Sequence, residues 1–340
     1  MAAAVKTERQ IIADVKKGNI APVYLITGDE NYYIDVLSDF FENEVIPEEN
    51  QCFDQLVVYG VDVTMSQIVD NAKQYPVLPT STHRLILVKE AQNIKIDTWT
   101  PLVKYLSNPL PTTILVFCYR HKKIDKRTAV YKAINDKGVV FERGKMQDYK
   151  LPEWIASFVQ SKGYDISPQT SMILAETLGN DLGKIVNEMS KLFLVLPQGA
   201  VFTPEIVEKN IGISKDYNVF ELQNAIGRKD VLRCNRIINH FADNPKETPI
   251  QMVIPSLYSY FLKIMIYHQL QDKSQAASAM EVPPYFVRDY QQAARCYSLQ
   301  KLAVIITYLK EADLKSKGIG NAGTVTDGEI LKELVFKILH

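Results

Sequence analysis

The sequence predicts an α/β domain followed by all-α domains, and three observations support this fold class. Over residues 1–142, short apolar runs rich in β-branched and aromatic residues alternate with helical patterns. These runs are almost continuously apolar, which is typical of a parallel sheet covered by helices on both faces. From Tyr149 onward the strand patterns stop. We therefore expect an α/β domain at 1–142, a small helical domain at 143–212 and a helical C-terminal domain at 213–340.

The elements of the predicted α/β domain alternate along the chain. Apolar runs predict strands at Val23–Thr27, Phe53–Tyr59, Arg84–Val88, Thr113–Cys118 and Val139–Phe141. Helical spacing predicts helices at Thr7–Lys17, Asn31–Val45, Thr64–Lys73, Thr98–Leu106 and Lys126–Asn135. In the second of these helices, we expect the side chains that face inward to be Tyr32, Val36, Phe40 and Phe41.

The rest of the chain is predicted to be helical. The small domain has helical patterns at Leu151–Ser161, Pro168–Leu178, Asp181–Leu194 and a short segment that starts at Thr203. The C-terminal domain has them at Val219–Arg228, Lys229–Phe241, Thr248–Asp272, Pro284–Ala294, Ser298–Lys315 and Thr326–Leu339. Ser298 is a favourable N-cap for the apolar stripe that follows it.

The composition is that of a globular protein without a dominant charge. The 340 residues are 46% hydrophobic and 23% charged, and 39 basic residues balance 39 acidic ones. No overall field therefore attracts nucleic acid or an anionic membrane. Residues 1–19 predict a polar amphipathic helix and not a signal peptide. No apolar run approaches the roughly 20 residues that span a bilayer, so we expect a cytoplasmic protein without a membrane partner.

The residues that usually carry metal or covalent chemistry form no motif. The four cysteines lie far apart without a C-x-x-C spacing, which argues against a zinc ribbon or a dithiol redox site. The five histidines are scattered, and neither G-x-S-x-G nor H-E-x-x-H is present. We therefore expect no metal site and no catalytic residue.

A strand, a glycine and a helix at Ala21–Leu37 have the layout of a phosphate-binding loop. The motif requires G-x-x-x-x-G-K-[ST]. Counting from Gly28, the second glycine position holds Tyr33, the lysine position holds Ile34 and the Mg²⁺-binding hydroxyl position holds Asp35. The two acidic residues directly after Gly28 would repel a triphosphate. We therefore expect no nucleotide cofactor at this loop.

A second nucleotide-binding motif is also altered. In many ATPases a strand of four apolar residues ends in Asp-Glu, where the Asp holds Mg²⁺ and the Glu polarises the attacking water. Here Leu85–Val88 form the strand, and Lys89 stands at the Asp position before Glu90. A cation there opposes Mg²⁺ binding. The missing lysine and hydroxyl after Gly28 and the substitution by Lys89, with only Glu90 retained, together indicate an ATPase-like fold with a degenerate nucleotide site.

Five stretches resemble the delta subunit of the bacterial DNA polymerase III clamp loader. They are PVYLITGDENYYIDVL, QYPVLPTSTHRLILVKE, TTILVFCYRHKKIDKR, LGNDLGKIVNEMSKL and EADLKSKG. The resemblance covers about residues 20–335 in the same order. It implies an AAA+-like parallel α/β domain, a small helical lid-like domain and a C-terminal helical collar domain for oligomerisation.

The resemblance also implies a function without intrinsic catalysis or a cofactor. Members of this family bind no ATP and open the sliding clamp, the beta subunit, for loading onto primed DNA during replication. The implied partners are the clamp, the clamp-loader ATPase and delta-prime subunits of a hetero-pentamer, and primer–template DNA through that complex. Nucleotidyl transfer would belong to the polymerase holoenzyme and not to this chain.

Three alternatives remain open: an AAA+ ATPase, a delta-prime-like subunit and a DNA-binding replication adaptor. Many ATPase and delta-prime relatives carry a four-cysteine zinc module between the two nucleotide motifs and a Ser-Arg-Cys motif after the fourth strand. Here only Cys52 lies between Gly28 and Glu90, and Cys118 begins a Cys-Tyr-Arg sequence instead. Both differences favour delta, and the balanced charge disfavours the adaptor.

The segment Tyr75–Pro79, YPVLP, is the candidate clamp-binding site. Two prolines stiffen the turn after a predicted helix and prevent that helix from continuing. The delta family keeps an apolar pair at this place that enters a pocket on the clamp. The resemblance therefore assigns clamp binding to Val77 and Leu78, with Tyr75 beside them. The alternative is that the pair packs into the domain core.

The loop after the fourth strand is basic. A few cations there would give salt-dependent affinity for phosphates without sequence preference. The candidate DNA contacts are Lys122, Lys123, Lys126 and Arg127. The alternative is a solvated turn followed by a helix start.

Overall fold

The structure is a computed structural model that describes residues 6–121, 123–214, 216–319 and 325–340. The chain divides into two compact units, Met1–Met146 and Gln147–His340. The first unit contains the predicted α/β domain. The finer division into three domains at residues 142 and 212 stays a prediction.

The first unit alternates strands and helices. Its strands are β1 Val23–Gly28, β2 Gln55–Tyr59, β3 Arg84–Lys89, β4 Thr113–Arg120 and β5 Val139–Arg143. Its helices are α1 Glu8–Lys16, α2 Asn31–Glu44, α3 Glu48–Asp54, α4 Met65–Ala72, α5 Thr100–Leu106 and α6 Ala129–Lys137. Two short 3₁₀ helices, Ala91–Asn93 and Ile96–Trp99, follow β3. The predicted elements are present, and α3 is an additional helix within the predicted strand Phe53–Tyr59 and the residues before it.

The five strands form one parallel sheet in the order β2-β3-β4-β1-β5. Leu25 in the middle of β1 lies opposite Phe117 of β4 and Val140 of β5. Because the strands are parallel, their carboxyl ends meet at one edge of the sheet. The parallel α/β sheet predicted from the sequence is confirmed, and the degenerate nucleotide motifs lie at this edge.

Helices cover both faces of the sheet, so its central strands are buried. Alternate residues of β1 face opposite layers: Leu25 belongs to a core with Trp99, and Tyr24 packs on Phe41 of α2 at 4.8 Å between ring centroids. Trp99 is completely buried and lies 5.0 Å from the ring of Phe117. This core gives the loops at the sheet edges a rigid base.

The buried face of α2 differs from the expected one. Phe40 and Phe41 are buried as predicted, but Tyr32 and Val36 are only half-buried. The residues that complete the buried face are Tyr33, Ile34 and Leu37. The prediction was wrong at two positions because aromatic and aliphatic residues occur on both sides of this helix. The spacing of the apolar residues alone is therefore consistent with more than one choice of buried face.

The second unit is helical. Its helices are α7 Leu151–Ser161, α8 Pro168–Leu178, α9 Leu182–Val195, α10 Pro204–Ile211, α11 Val219–Gly227, α12 Val231–Asp243, α13 Ile250–Gln269, α14 Ala276–Ala279, α15 Val287–Cys296, α16 Leu299–Ser316 and α17 Asp327–Leu339. Short 3₁₀ helices lie at Asp148–Lys150, Lys273–Gln275 and Pro284–Phe286. Two short strands, β6 Asp165–Ile166 and β7 Val201–Phe202, pair in parallel. Strands this short give no periodic signal, so the sequence analysis missed them.

Helix α13 is 20 residues long and is apolar enough to cross a membrane by length and composition alone. This differs from the expectation that no apolar run approaches such a length. One face of the helix is buried within the second unit, where Leu257, Phe261 and Ile264 are fully enclosed. A helix of a protein core passes the same test of length and composition.

Candidate functional site

The segment Tyr75–Pro79, named the contact loop, presents apolar side chains to solvent. It lies between the end of α4 at Ala72 and the start of β3 at Arg84. Tyr75 is 69% exposed and Val77 is 59% exposed. Leu78 is half-buried. The alternative that this apolar pair packs into the domain core therefore does not hold for Val77, and it holds for Leu78 only in part.

A buried carboxylate holds the backbone of the contact loop. The amide nitrogen of Val77 donates to Oδ1 of Asp54 at 2.6 Å, and that of Leu78 donates to Oδ2 at 3.2 Å. Asp54 is the last residue of α3 and is fully buried. One side chain thus accepts hydrogen bonds from two consecutive amides of the contact loop.

A second residue of α3 supports the same loop. Asn50 lies one helical turn before Asp54 and is also buried. Its Oδ1 accepts a hydrogen bond from the Thr80 hydroxyl at 3.3 Å. Helix α3 leads directly into the sheet, because Gln55 begins β2, and the Gln55 side chain donates to the Glu42 carbonyl of α2 at 2.9 Å. The contact loop therefore sits on a fixed support.

The carboxylate of Asp54 is stabilised in its charged form. Burial by itself raises the pKa of Asp54, but the Ser81 side chain, hydrogen bonds from the Val77 and Leu78 amides and the positive charge of Arg84 act in the opposite direction. The hydrogen bonds and charge outweigh burial, so the pKa lies below its ordinary value. Asp54 is therefore ionised at neutral pH. In this form each of its two carboxylate oxygens accepts a hydrogen bond from one of the two amides.

The sequence analysis missed Asp54 and Asn50. It assigned Asp54 to a strand, because Phe53 and the run at residues 56–59 are apolar. The hydrogen bonds that matter join residues 23 and 24 positions apart, so local spacing gave no signal for them. A weak signal was present in the seven-residue α3 itself, where an Asp stands at the carboxyl end of a helix, a position that disfavours negative charge.

A groove of about 720 Å³ opens beside the contact loop, between α4 and α5. Tyr75 lines it together with Val69 of α4 and Tyr105 of α5. Lys73 and Lys104 stand at the same groove. The contact loop and this groove therefore form a continuous, partly apolar surface on the first unit.

The glycine of the phosphate-loop layout has a structural role. Gly28 has φ +138°, and a Cβ added there would overlap the carbonyl oxygen of Arg143. The amide of Asp29 donates to this same oxygen at 3.0 Å. Gly28 is therefore required by the close approach of the two strand ends β1 and β5. The backbone amide of Asp29, which could face a phosphate in such a loop, is already bonded.

The residues at the metal-binding position form ion pairs within the chain. Lys89 at the end of β3 donates to Glu42 of α2 at 2.5 Å. Burial lowers the pKa of Lys89, but its contact with Glu42 outweighs burial and raises it overall. Glu90 follows with the left-handed φ of 51°. Arg120 at the end of β4 pairs with Asp35 of α2. Cations of the chain thus occupy this edge of the sheet.

The described cations of the basic loop pair with acidic neighbours. Lys123 and Lys126 each contact a different oxygen of Glu142 at 3.0 Å. Arg127 makes a forked contact with Asp125, with its Nη2 2.6 Å from a carboxylate oxygen. Lys122 lies outside the described residues. Each of the three described candidate DNA contacts thus has a carboxylate partner within the chain.

Two family models match the chain. The model of the DNA polymerase III delta subunit matches residues 24–143, and the model of the C-terminal domain of that subunit matches residues 216–331. DNA polymerase III subunit delta of Bacillus subtilis (strain 168) is 23% identical over 313 residues, which cover 89% of this chain and 90% of that protein. A solved structure, the Bacillus subtilis DNA clamp loader delta protein, shares the fold with a TM-score of 0.56 at 21% identity, over 98% of this chain and 99% of that chain. The chain belongs to the family of DNA polymerase III delta subunits.

Proposed function

We propose that this chain is a non-catalytic subunit of the DNA polymerase III clamp loader that binds the sliding clamp and opens it for loading onto primed DNA. The contact loop enters a pocket on the clamp through Val77 and Leu78, with Tyr75 at the rim. The clamp is the beta subunit of the replication machinery, and the protein acts in the cytoplasm.

The observation that carries this proposal is the exposed and anchored contact loop. Val77 exposes 59% of its surface, although its backbone is hydrogen-bonded to a fully buried carboxylate. Burying an apolar side chain of this size in a pocket contributes roughly 1.5–3 kcal/mol. Apolar anchors at the centre of an interface commonly dominate its binding energy. A fixed backbone limits the entropy lost when the loop binds.

The mechanism uses binding energy and no bond chemistry. The contact loop stabilises the open form of the clamp if it binds the open form more tightly than it binds the closed ring. The chain needs ATP-hydrolysing neighbours to control this step, because Lys89 stands at the metal position of its own degenerate motif and pairs with Glu42. These neighbours are the clamp-loader ATPase and delta-prime subunits of a hetero-pentamer, which also brings the primer–template DNA.

Two other functions have less support. An active ATPase would require Mg²⁺ beside Lys89 and a phosphate at the Asp29 amide, which is already bonded to Arg143. A DNA-binding adaptor would require free cations, whereas Lys123 and Lys126 share Glu142. We retain DNA contact by the basic loop as a minor role within the assembled complex.

The test uses the purified full chain and the sliding clamp of the same organism. Binding is measured by size-exclusion chromatography and biolayer interferometry without nucleotide, and opening is measured as release of the clamp from nicked circular DNA. We expect a stable complex and faster clamp release that do not depend on ATP. If neither the chain alone nor its complex with the other loader subunits binds the clamp, the proposal is wrong.

A further inference from the structure

We infer that Asp54 is a positioning residue, which fixes the contact loop in the shape that binds the clamp. This inference rests on the proposed function and extends it to a residue that does not touch the clamp itself. Asp54 acts through the backbone of Val77 and Leu78, whose amides it binds at 2.6 and 3.2 Å.

A carboxylate at the position of Asp54 would by itself destabilise the folded protein. A carboxylate at the last residue of a helix faces the negative end of the helix dipole. Complete burial adds a desolvation cost. The two loop amides, together with the Ser81 side chain and the charge of Arg84, compensate these costs. The hydrogen bonds that Asp54 accepts from the contact loop therefore explain why a charged side chain occurs at this buried helix end.

The geometry requires a carboxylate of this length. The two amides point to two different oxygens of one side chain. An asparagine offers one oxygen and presents an NH₂ group to the second amide, so only one hydrogen bond can form. A glutamate carries an additional methylene group and would displace the loop. Asp54→Asn is therefore the substitution that changes the hydrogen bonding with the least change of volume.

The sequence of the loop provides a direct readout. Pro76 and Pro79 have no amide hydrogen, so the segment 76–79 contains only the amides of Val77 and Leu78. Both of these amides bind Asp54. Hydrogen exchange of this segment, measured by mass spectrometry with fragmentation, thus reports on the two proposed contacts without interference from other amides.

The exchange experiment compares the full-length wild-type chain with Asp54→Asn. We expect two slowly exchanging amides in the wild type and an increase in exchange of at least tenfold in the variant. The amides of β2, next to Asp54 in the sequence, should keep their protection. Asp35→Asn is the matched control, because it removes the partner of Arg120 in the same unit and leaves the contact loop unchanged. Fast exchange of both amides in the wild type would overturn the inference.

A double-mutant cycle then connects the loop to the clamp. Clamp affinity is measured for Asp54→Asn, for Val77→Ser with Leu78→Ser, and for the triple variant. We expect Asp54→Asn to weaken binding at least fivefold, and to cause no further loss when the apolar pair is already absent. A general loss of stability would instead lower affinity by the same factor in both backgrounds, and that additivity would contradict the inference.

The two experiments separate this inference from the proposed function. Freed amides with unchanged clamp affinity would show that Asp54 holds the loop but does not position it for the clamp, which overturns the inference and leaves the proposed function standing. If the wild-type chain does not bind the clamp, the proposed function fails and the positioning role for the clamp fails with it. The exchange rates would still decide whether Asp54 holds the loop.

Discussion

The amide nitrogen of Val77 lies 2.6 Å from a carboxylate oxygen of Asp54, 23 positions earlier in the chain. This bond fixes the backbone of a residue whose side chain is mostly exposed. Large apolar residues are most often buried in a core. Here the backbone is fixed while the apolar side chain stays in solvent, which is the arrangement expected of a preformed contact for a partner protein.

We predict that the isolated chain binds no nucleotide. The Lys89 ammonium occupies the metal position and is held by Glu42 at 2.5 Å. The amide of Asp29 is bonded to the Arg143 carbonyl and cannot bind a phosphate without breaking that bond. Isothermal titration calorimetry with Mg-ATP should give no saturable heat. Saturable binding at micromolar ATP would contradict the degenerate-site account.

We predict that Gly28→Ala destabilises the first unit. Its φ of +138° is unfavourable for a residue with a Cβ, at a cost of roughly 1–3 kcal/mol. The added carbon would also overlap the Arg143 carbonyl oxygen, which is part of a strand and cannot move easily. Thermal unfolding should show a melting temperature lowered by several degrees. Gly144→Ala is the control, because a Cβ there meets nothing within 4 Å. Equal stability of the two variants would contradict a structural role for Gly28.

The sequence was sufficient for the fold class because the strands of the first unit are apolar and short. The central strands β1, β3 and β4 are almost fully buried, so their composition alone distinguishes them from the helices. The helix α3 was missed because its seven residues are mostly polar and border the strand β2. The edge strand β2 is only half-buried and gives a weaker signal.

The candidate site could be predicted only in part. The apolar residues and prolines of the contact loop are visible in the sequence, and the resemblance assigned them a role. Their exposure and their support were not visible, because both depend on Asp54 and Asn50 from a different part of the chain. The pairing of Lys123 and Lys126 with Glu142 was hidden for the same reason.

We predict that the basic loop contributes to DNA affinity only within the assembled loader. Neutralising Lys122, Lys123, Lys126 and Arg127 should flatten the salt dependence of DNA binding, because each phosphate contact contributes about 0.9 to the slope. Glu142→Gln should have the opposite effect, since it frees Lys123 and Lys126 from their shared partner. An unchanged slope in both variants would assign these residues to a solvated surface.

We predict that Asp54 makes stability depend on pH only in the acid range. Its pKa is lower in the folded chain than the ordinary value of 3.8, so its contribution is complete above that value and is lost as the pH falls through the folded pKa. Asp54→Asn should cost about 1–3 kcal/mol at neutral pH, because a partly buried loop amide loses its partner on a fully buried side chain. The difference in melting temperature between wild type and variant should be constant from about pH 5 to 8 and should shrink below about pH 4. A difference that changes between about pH 6 and 8 would contradict this assignment.

The clamp affinity of the variant Val77→Ser, Leu78→Ser, measured together with its melting temperature, tests the central claim most directly. Val61→Ser is the matched control, because Val61 is 72% exposed in the same unit but outside the contact loop. Val77→Ser alone separates the exposed residue from the half-buried Leu78. We predict that the double variant binds the clamp at least tenfold more weakly, about 1.4 kcal/mol, while its melting temperature stays close to that of the control. A stable double variant with normal clamp affinity, or one that loses affinity only because it unfolds, would contradict the account.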